Sequence, residues 1–242
     1  MNNKKNNRYQ ALLLDLDGTL IDLAIEQFVP AYLQVLSHRF ADLSKASDFT
    51  SQLFRATYIM LQNEDPTKTN EAVFYEEFCQ LIEQPYEAIK PLVDHFYRYD
   101  FNKLSCWCRE LPYAQAVIHA AREKDLTLVL ATNPIFPATA TCQRLSWGGL
   151  SESAFHLITT MENMHFCKPN PDYYLEIAHR IGYPPQQCLM AGNDTREDLN
   201  ASAVGMDTFL VEDFIIHLDD DQPVSNYRGC LKDLATFIDK LE

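Results

Sequence analysis

The stretch "LLLDLDGTLID", residues 12–22, opens as a leucine-rich strand and then places Asp15 and Asp17 one residue apart, just before Gly18. In extended chain alternate residues share a side, so the two carboxylates face together while Leu14 and Leu16 face the other way. Gly18 permits a tight departure, and in an open α/β sheet ligands bind at the carboxyl ends of the strands. Two acids held together repel each other. A divalent cation relieves that repulsion, and hard oxygen ligands with water suit Mg²⁺. The same pair could also end a strand in solvent, so its meaning depends on what the other strand ends carry.

Short apolar or β-branched runs fall at 11–16, 126–131, 155–159, 187–191 and 207–211, and helix-length segments separate them from the second onward. That alternation predicts an α/β fold, a doubly wound parallel sheet with helices on both faces. In "KPNPDYYLEIAHRIGYPP", Asn170 is a cap, Pro171 suits a first helical position, and Gly182 with Pro184 ends a helix over 171–181. "ELPYAQAVIHAAREKD" (110–125) predicts a helix leading into the second strand, and "RGCLKDLATFIDKLE" (228–242) a closing amphipathic one.

More than a hundred residues with little strand signal lie between the first and second runs, too many for a loop. Helical spacing around 24–40, 47–62, 70–83 and 86–100, punctuated by Pro66, Pro85 and Pro91, predicts an all-helical insert over 22–106. Residues 1–21 and 107–242 then form the α/β core. The insert's aromatics (Phe74, Tyr75, Phe78, Tyr86, Phe96, Tyr97, Tyr99, Phe101, Trp107) read as the core of a small helical unit rather than a stacking pocket.

Composition narrows the chemistry. The chain has 242 residues, 47% of them hydrophobic, enough to bury a full core. A polar start and no long apolar run predict a soluble, cytoplasmic protein with no membrane partner. Seven cysteines at 79, 106, 108, 142, 167, 188 and 230 form no CxxC pair and suit reduced thiols. A formal charge of −14 with no basic stripe disfavours nucleic acid, so a phosphorylated partner would need a local cation. "LDDDQPV" (218–224) reads as solvated acidic surface.

The later strand ends supply that cation and more. "LTLVLATNP" ends in Thr132 and Asn133, "FCKPNPDYY" carries Lys168 just before a helix, and "CLMAGNDTREDLNASAVGM" places Asn193, Asp194 and Asp198 behind Gly192. Each has an ordinary explanation alone: turn chemistry, surface lysine, helix capping. An acid pair, a hydroxyl, an amine and a second acid group, one per strand end, are hard to assign to four separate accidents.

"DLDGTL", "ATN", "KPNPDYY" and "GNDTREDL", in that order, resemble the four motifs of the haloacid dehalogenase-like hydrolase superfamily, and the helical insert resembles its C1 cap. The resemblance implies a Mg²⁺-dependent phosphatase acting on a small phosphorylated metabolite. Asp15 would be the nucleophile that carries an aspartyl-phosphate, and Asp17 the general acid and base. Thr132 and Asn133 would hold the phosphoryl group near Gly18, and Lys168 would offset the charge of Asp15. Mg²⁺ would rest on Asp15, the Asp17 carbonyl and the fourth motif. Asp17 favours phosphoryl transfer, since the dehalogenating relatives carry DxY.

The fourth motif departs from the usual GDxxxxD by reading "GNDTRED". Either Asn193 ligates the metal with Asp198 acting through water, or Asp194 turns in; Asp194 is favoured because it restores the charge. A sugar-phosphate mutase shares the same intermediate and is the nearest rival. A binding or regulatory module with weakened catalysis draws support from Asn193. A phospho-accepting receiver domain fits poorly, because its acid pair and its phosphorylated acid sit on different strands.

Overall fold

The computed structural model describes residues 8–43, 46–216 and 224–241. The acidic stretch 218–223 lies outside the described residues, and Val224 beside it is exposed. The chain begins with β1 (Ala11–Leu14), then a short β2 (Ile21–Leu23). Four helices follow: α1 (Ile25–Arg39), α2 (Ala46–Leu61), α3 (Asn70–Ile82) and α4 (Tyr86–His95). After β3 (Cys108–Glu110), helices and strands alternate: α5 (Ala114–Glu123), β4 (Thr127–Leu130), α6 (Ala138–Trp147), β5 (Leu157–Ile158), α7 (Pro171–Ile181), β6 (Cys188–Gly192), β7 (Asp207–Val211), β8 (Tyr227–Gly229) and α8 (Leu231–Asp239).

Six strands form one parallel sheet in the order β5-β4-β1-β6-β7-β8. All four residues of β1 are buried, as a strand covered on both faces requires. Alternation sends Leu12 and Leu14 into the cluster with Val117 of α5 and Leu234 of α8. Ala11 and Leu13 go into the opposite cluster, with Tyr173 and Ile177 of α7. From β1 the chain builds outward to β4 and β5, then returns to lay β6 on the other flank of β1. The crevice at the carboxyl ends of β1 and β6 is therefore the switch point at which α/β sheets bind ligands.

The helices between β2 and β3 enclose a third cluster built on Phe28, Phe40, Phe49, Phe78, Phe96 and Phe101. Of the aromatics expected to form this core, Phe74, Tyr75, Phe78, Phe96, Tyr97 and Phe101 are buried, whereas Tyr86, Tyr99 and Trp107 are exposed. Its stem is an antiparallel ladder in which Ile21 pairs with Glu110 and Leu23 with Cys108. Neither short strand is visible in the sequence, because three residues give no periodicity.

Other differences have local causes. The helix expected over 86–100 ends at His95, where the backbone widens over Phe96–Asp100 and then tightens into a 3₁₀ turn over Phe101–Trp107. The widening brings Asp100 inward, 4% exposed, to meet Arg39 at 2.5 Å and Lys103 at 2.7 Å. The strand expected over 155–159 is two residues long. β8 was not anticipated, and α6 was anticipated only as a helix-length segment without bounds. Among the described residues no helix is long and apolar enough to cross a membrane.

Candidate functional site

β1 delivers Asp15 to the switch point, where its N–H still reaches Ala191 of β6 at 3.0 Å. Two residues on, Asp17 lines the same cavity, about 130 Å³, together with Thr132, Asn133, Asn193, Asp194 and Asp198. Gly18 turns the chain at φ +81°, and a Cβ there would meet the Asn193 amide at 2.4 Å. Gly192 is constrained in the same way, because its Cβ would fall 2.0 Å from Asp198 Oδ2. Thus two glycines let the first and fourth segments approach until their side chains share one space.

Lys168 is the centre of the arrangement. Its fully buried ammonium donates to Asp15 Oδ1 at 2.8 Å and to Asp198 Oδ1 at 2.6 Å, joining segments 153 and 30 residues apart. Burial alone would lower its pKa, but the facing carboxylates Asp15 and Asp198 outweigh that and hold it well above the usual lysine value. Lys168 is a permanent cation here, the local charge that an acidic chain needs in order to receive an anion.

The loop before Lys168 is braced by Asn133. Its Oδ1 accepts from the Lys168 N–H at 3.2 Å, and its Nδ2 donates to the Lys168 carbonyl at 3.4 Å and to Glu197 Oε1 at 3.0 Å. The Asn133 amide thus positions the lysine, while the residue also lines the cavity. Thr132 is 3% exposed on the cavity wall, and its carbonyl accepts from Tyr173 Oη at 2.9 Å and Thr159 Oγ1 at 2.7 Å.

In the fourth segment Asn193 is buried, accepting from Thr19 at 2.9 Å and donating to the Phe214 carbonyl at 2.6 Å. Asp194 Oδ1 accepts the N–H groups of Arg196 and Glu197 at 2.9 and 3.0 Å, an Asx-type turn, while the residue still lines the cavity. Asp198 Oδ2 accepts the Asp194 N–H at 2.9 Å. Burial pushes the Asp198 carboxyl up against the opposing pull of Lys168, and it pushes Glu197 up to about 8.

Two participants escaped the sequence reading. Glu197 sits inside a quoted motif, where it looked like helix capping. Arg144, 1% exposed, lies on α6, and its guanidinium pairs with the Asp17 carboxylate and stacks 4.5 Å from the Phe136 ring. Burial raises the Asp17 pKa most, Arg144 pulls it down, and Asp15 raises it further. Of the buried side-chain polar atoms left without a partner among the described residues, three belong to this pair: Asp17 Oδ1 and Arg144 Nε and Nη2. No local motif marks Arg144; "CQRLSW" reads as an ordinary helix.

The residues around this cavity offer oxygens of the kind Mg²⁺ takes: the Asp15 and Asp194 carboxylates and the Asn193 amide. No three Asp, Glu, His or Cys side chains among the described residues converge on one point as a metal group. An ion would thus draw on at most two carboxylates, with main-chain oxygen and water completing its shell, the manner in which Mg²⁺ is ordinarily held. Such a donor set fits.

Comparison with known proteins agrees with the geometry. A haloacid dehalogenase-like hydrolase family model matches residues 9–204. The chain is 23% identical over 228 residues to N-acetylmuramic acid 6-phosphate phosphatase of Pseudomonas aeruginosa, spanning 90% of this chain and 88% of that protein. A HAD phosphatase from Thermococcus onnurineus shares the fold with TM-score 0.60 at 18% identity, covering 95% of this chain and 97% of the other. The HAD-hydrolase YfnB of Bacillus subtilis, solved bound to magnesium, does so with TM-score 0.55 at 21% identity, covering 96% and 99%.

Proposed function

The chain belongs to the haloacid dehalogenase-like hydrolases, and on that premise we propose that it is a Mg²⁺-dependent phosphatase that hydrolyses a small phosphate monoester through an aspartyl-phosphate. The observation that carries the proposal is the Lys168 ammonium clasping Asp15 and Asp198 beside Asp17 at the sheet's switch point. A structural ion pair alone would not require Asp17 and Arg144, two residues that line the same cavity, to keep buried polar atoms unpaired.

In the first step an Asp15 carboxylate oxygen attacks phosphorus and the ester P–O bond breaks. The electron pair leaves with the alcohol oxygen, and Asp17 donates a proton to it. In the second step water attacks the phosphoryl-aspartate, Asp17 takes the proton, and inorganic phosphate leaves with Asp15 restored. Asp17 must arrive protonated, and its burial favours that state. Lys168 and the Thr132 region stabilise charge on the phosphoryl oxygens. Mg²⁺, held by Asp15, the Asp17 carbonyl and either Asp194 or Asn193, would supply charge neutralisation when bound. The helical segment 22–106 would serve as a cap that closes over the reaction and excludes bulk water. Cys79, Cys106 and the other free thiols suit a reducing, cytoplasmic setting.

The test is release of inorganic phosphate from p-nitrophenyl phosphate by the purified full chain. Wild-type protein is expected to turn over with Mg²⁺ and to stop in chelator. Asp15→Asn is expected to lose at least about 10³-fold in kcat, an effect of the size seen when a nucleophile is removed. Undiminished hydrolysis by Asp15→Asn would end the proposal.

A further inference from the structure

A second cavity, about 260 Å³, runs through the helical segment between α1, α2 and α3 and reaches the surface beside Ile25 and Phe54. It meets the candidate site at a neck shared by both cavities: Asp17, Ile135, Phe136 and Arg144. Beyond that neck its walls are almost wholly apolar, with Phe28, Phe40, Phe49, Phe74 and Phe78 among them. The hydroxyls it does contain are largely engaged. Tyr32 and Tyr97 hydrogen bond each other at 2.8 Å, and Thr57 donates to the Leu53 carbonyl at 2.9 Å.

Two physical arguments give this space a purpose. Protein interiors pack densely, and a void of this size inside an aromatic cluster destabilises in proportion to its volume, so packing does not explain it. Second, the cavity begins at the residue that would protonate the leaving oxygen. Whatever is attached to that oxygen must lie on the Asp17 side, and the space on that side is apolar. A sugar placed there would leave its hydroxyls without partners, at the cost of several unmade hydrogen bonds.

We infer that this cavity seats the leaving group and that the preferred substrate is a phosphate monoester of a predominantly apolar alcohol or phenol, its ester end lying at the neck beside Asp17 and Arg144. The inference rests on the phosphatase reading and narrows it from a small phosphorylated metabolite to a hydrophobic one. An apolar cavity of about 150 Å³ admits benzene, so the larger space here accepts a ring with substituents or a medium-length alkyl chain. Arg144 marks the neck as a fixed charge: it lines both cavities, is 1% exposed and is held in place by Phe136 and Asp17.

The experiment separates binding from turnover. Alkylphosphonates from ethyl to octyl, which cannot be hydrolysed, are titrated into the full chain by calorimetry. Affinity is expected to rise about threefold per added methylene over the first few carbons, making octylphosphonate at least about 100-fold tighter than ethylphosphonate. The heat-capacity change should grow more negative with chain length. In turnover, octyl phosphate is expected to exceed glucose 6-phosphate in kcat/KM by about tenfold or more. Thr57→Phe, checked for native circular dichroism, should stop the rise at a shorter chain. Equal affinity for ethyl- and octylphosphonate overturns the inference, as does a chain-length profile that a folded Thr57→Phe variant leaves unchanged. If no ester of any kind releases phosphate, the phosphatase reading falls, while the phosphonate series still decides whether the cavity takes an apolar chain.

Discussion

At the scale of residues, Lys168 and Arg144 show how differently two buried cations can serve neighbouring acids. Lys168 lies between Asp15 and Asp198, so removing its charge leaves two carboxylates facing each other in low dielectric. In chelator at pH 7, Lys168→Met is expected to lose about 3 kcal/mol of stability by urea denaturation. Without the ammonium, the folded-state pKa of the pair lies above its unfolded value. The loss is therefore full at pH 7 and fades as the pH falls toward the ordinary carboxylate range, where both forms protonate. Equal destabilisation at pH 7 and pH 4.5 would show that packing, not charge, is what Lys168 contributes. Arg144 acts on Asp17 in the opposite sense from burial, holding its pKa down. Arg144→Met should let that pKa climb further and move the alkaline limb of the kcat/KM profile to higher pH. A limb that stays put would mean that Asp17 is not the group it reports. Lys168 was legible in the sequence because it sits in a spaced motif; Arg144 was not, because nothing within ten residues of it hints at a carboxylate partner 127 positions away.

At the scale of elements, the legible helices are those that carry their own stop signals. α7 begins at Pro171 after the Asn170 cap, whose side chain accepts from Asp172 at 2.9 Å, and ends at Gly182 with φ +75°. α6 has no such signal. Its N-cap position is Pro137 with no side-chain cap, and its first N–H, on Ala138, donates to both Glu162 oxygens at 3.0 Å. A cap supplied 24 residues downstream cannot be seen in a local window. Glu162→Ala is expected to cost about 1 kcal/mol and, because α6 carries Arg144, to lower kcat as well. A stability loss with unchanged kcat would show that the start of α6 does not govern the position of Arg144. The short β2 and β3 teach the same lesson from the strand side. Their pairing joins segments nearly ninety residues apart, and neither is long enough to announce itself.

At the scale of the whole molecule, two packed bodies meet around the neck that holds Asp17 and Arg144. The sheet is covered on both faces by clusters that share β1, while the helical segment builds its own aromatic cluster. Contact between the bodies runs through Phe101, which stacks on Trp147 of α6 with ring centroids 5.0 Å apart and lies edge-on to Phe28 at 6.0 Å. Phe101→Ala is expected to cost about 3–5 kcal/mol and to broaden the urea transition as the two bodies lose common packing. A loss below about 1 kcal/mol would mean that the bodies are joined chiefly by the β2–β3 stem.

What the sequence determined by itself is what its local chemistry encodes. Apolar runs separated by helix-length segments specify a parallel sheet, and acid, hydroxyl and amine side chains at successive strand ends specify a reaction chemistry, because strand direction sends every such end to the same edge. What only the tertiary structure decided is which groups each of those side chains meets. Arg144 finds Asp17, Asn133 turns to the Lys168 main chain, and an apolar cavity opens at the Asp17 end of the site. These outcomes depend on distances across a packed interior, where the removal of water makes each unpaired charge or hydrogen bond costly, and that condition exists only once the whole chain has folded.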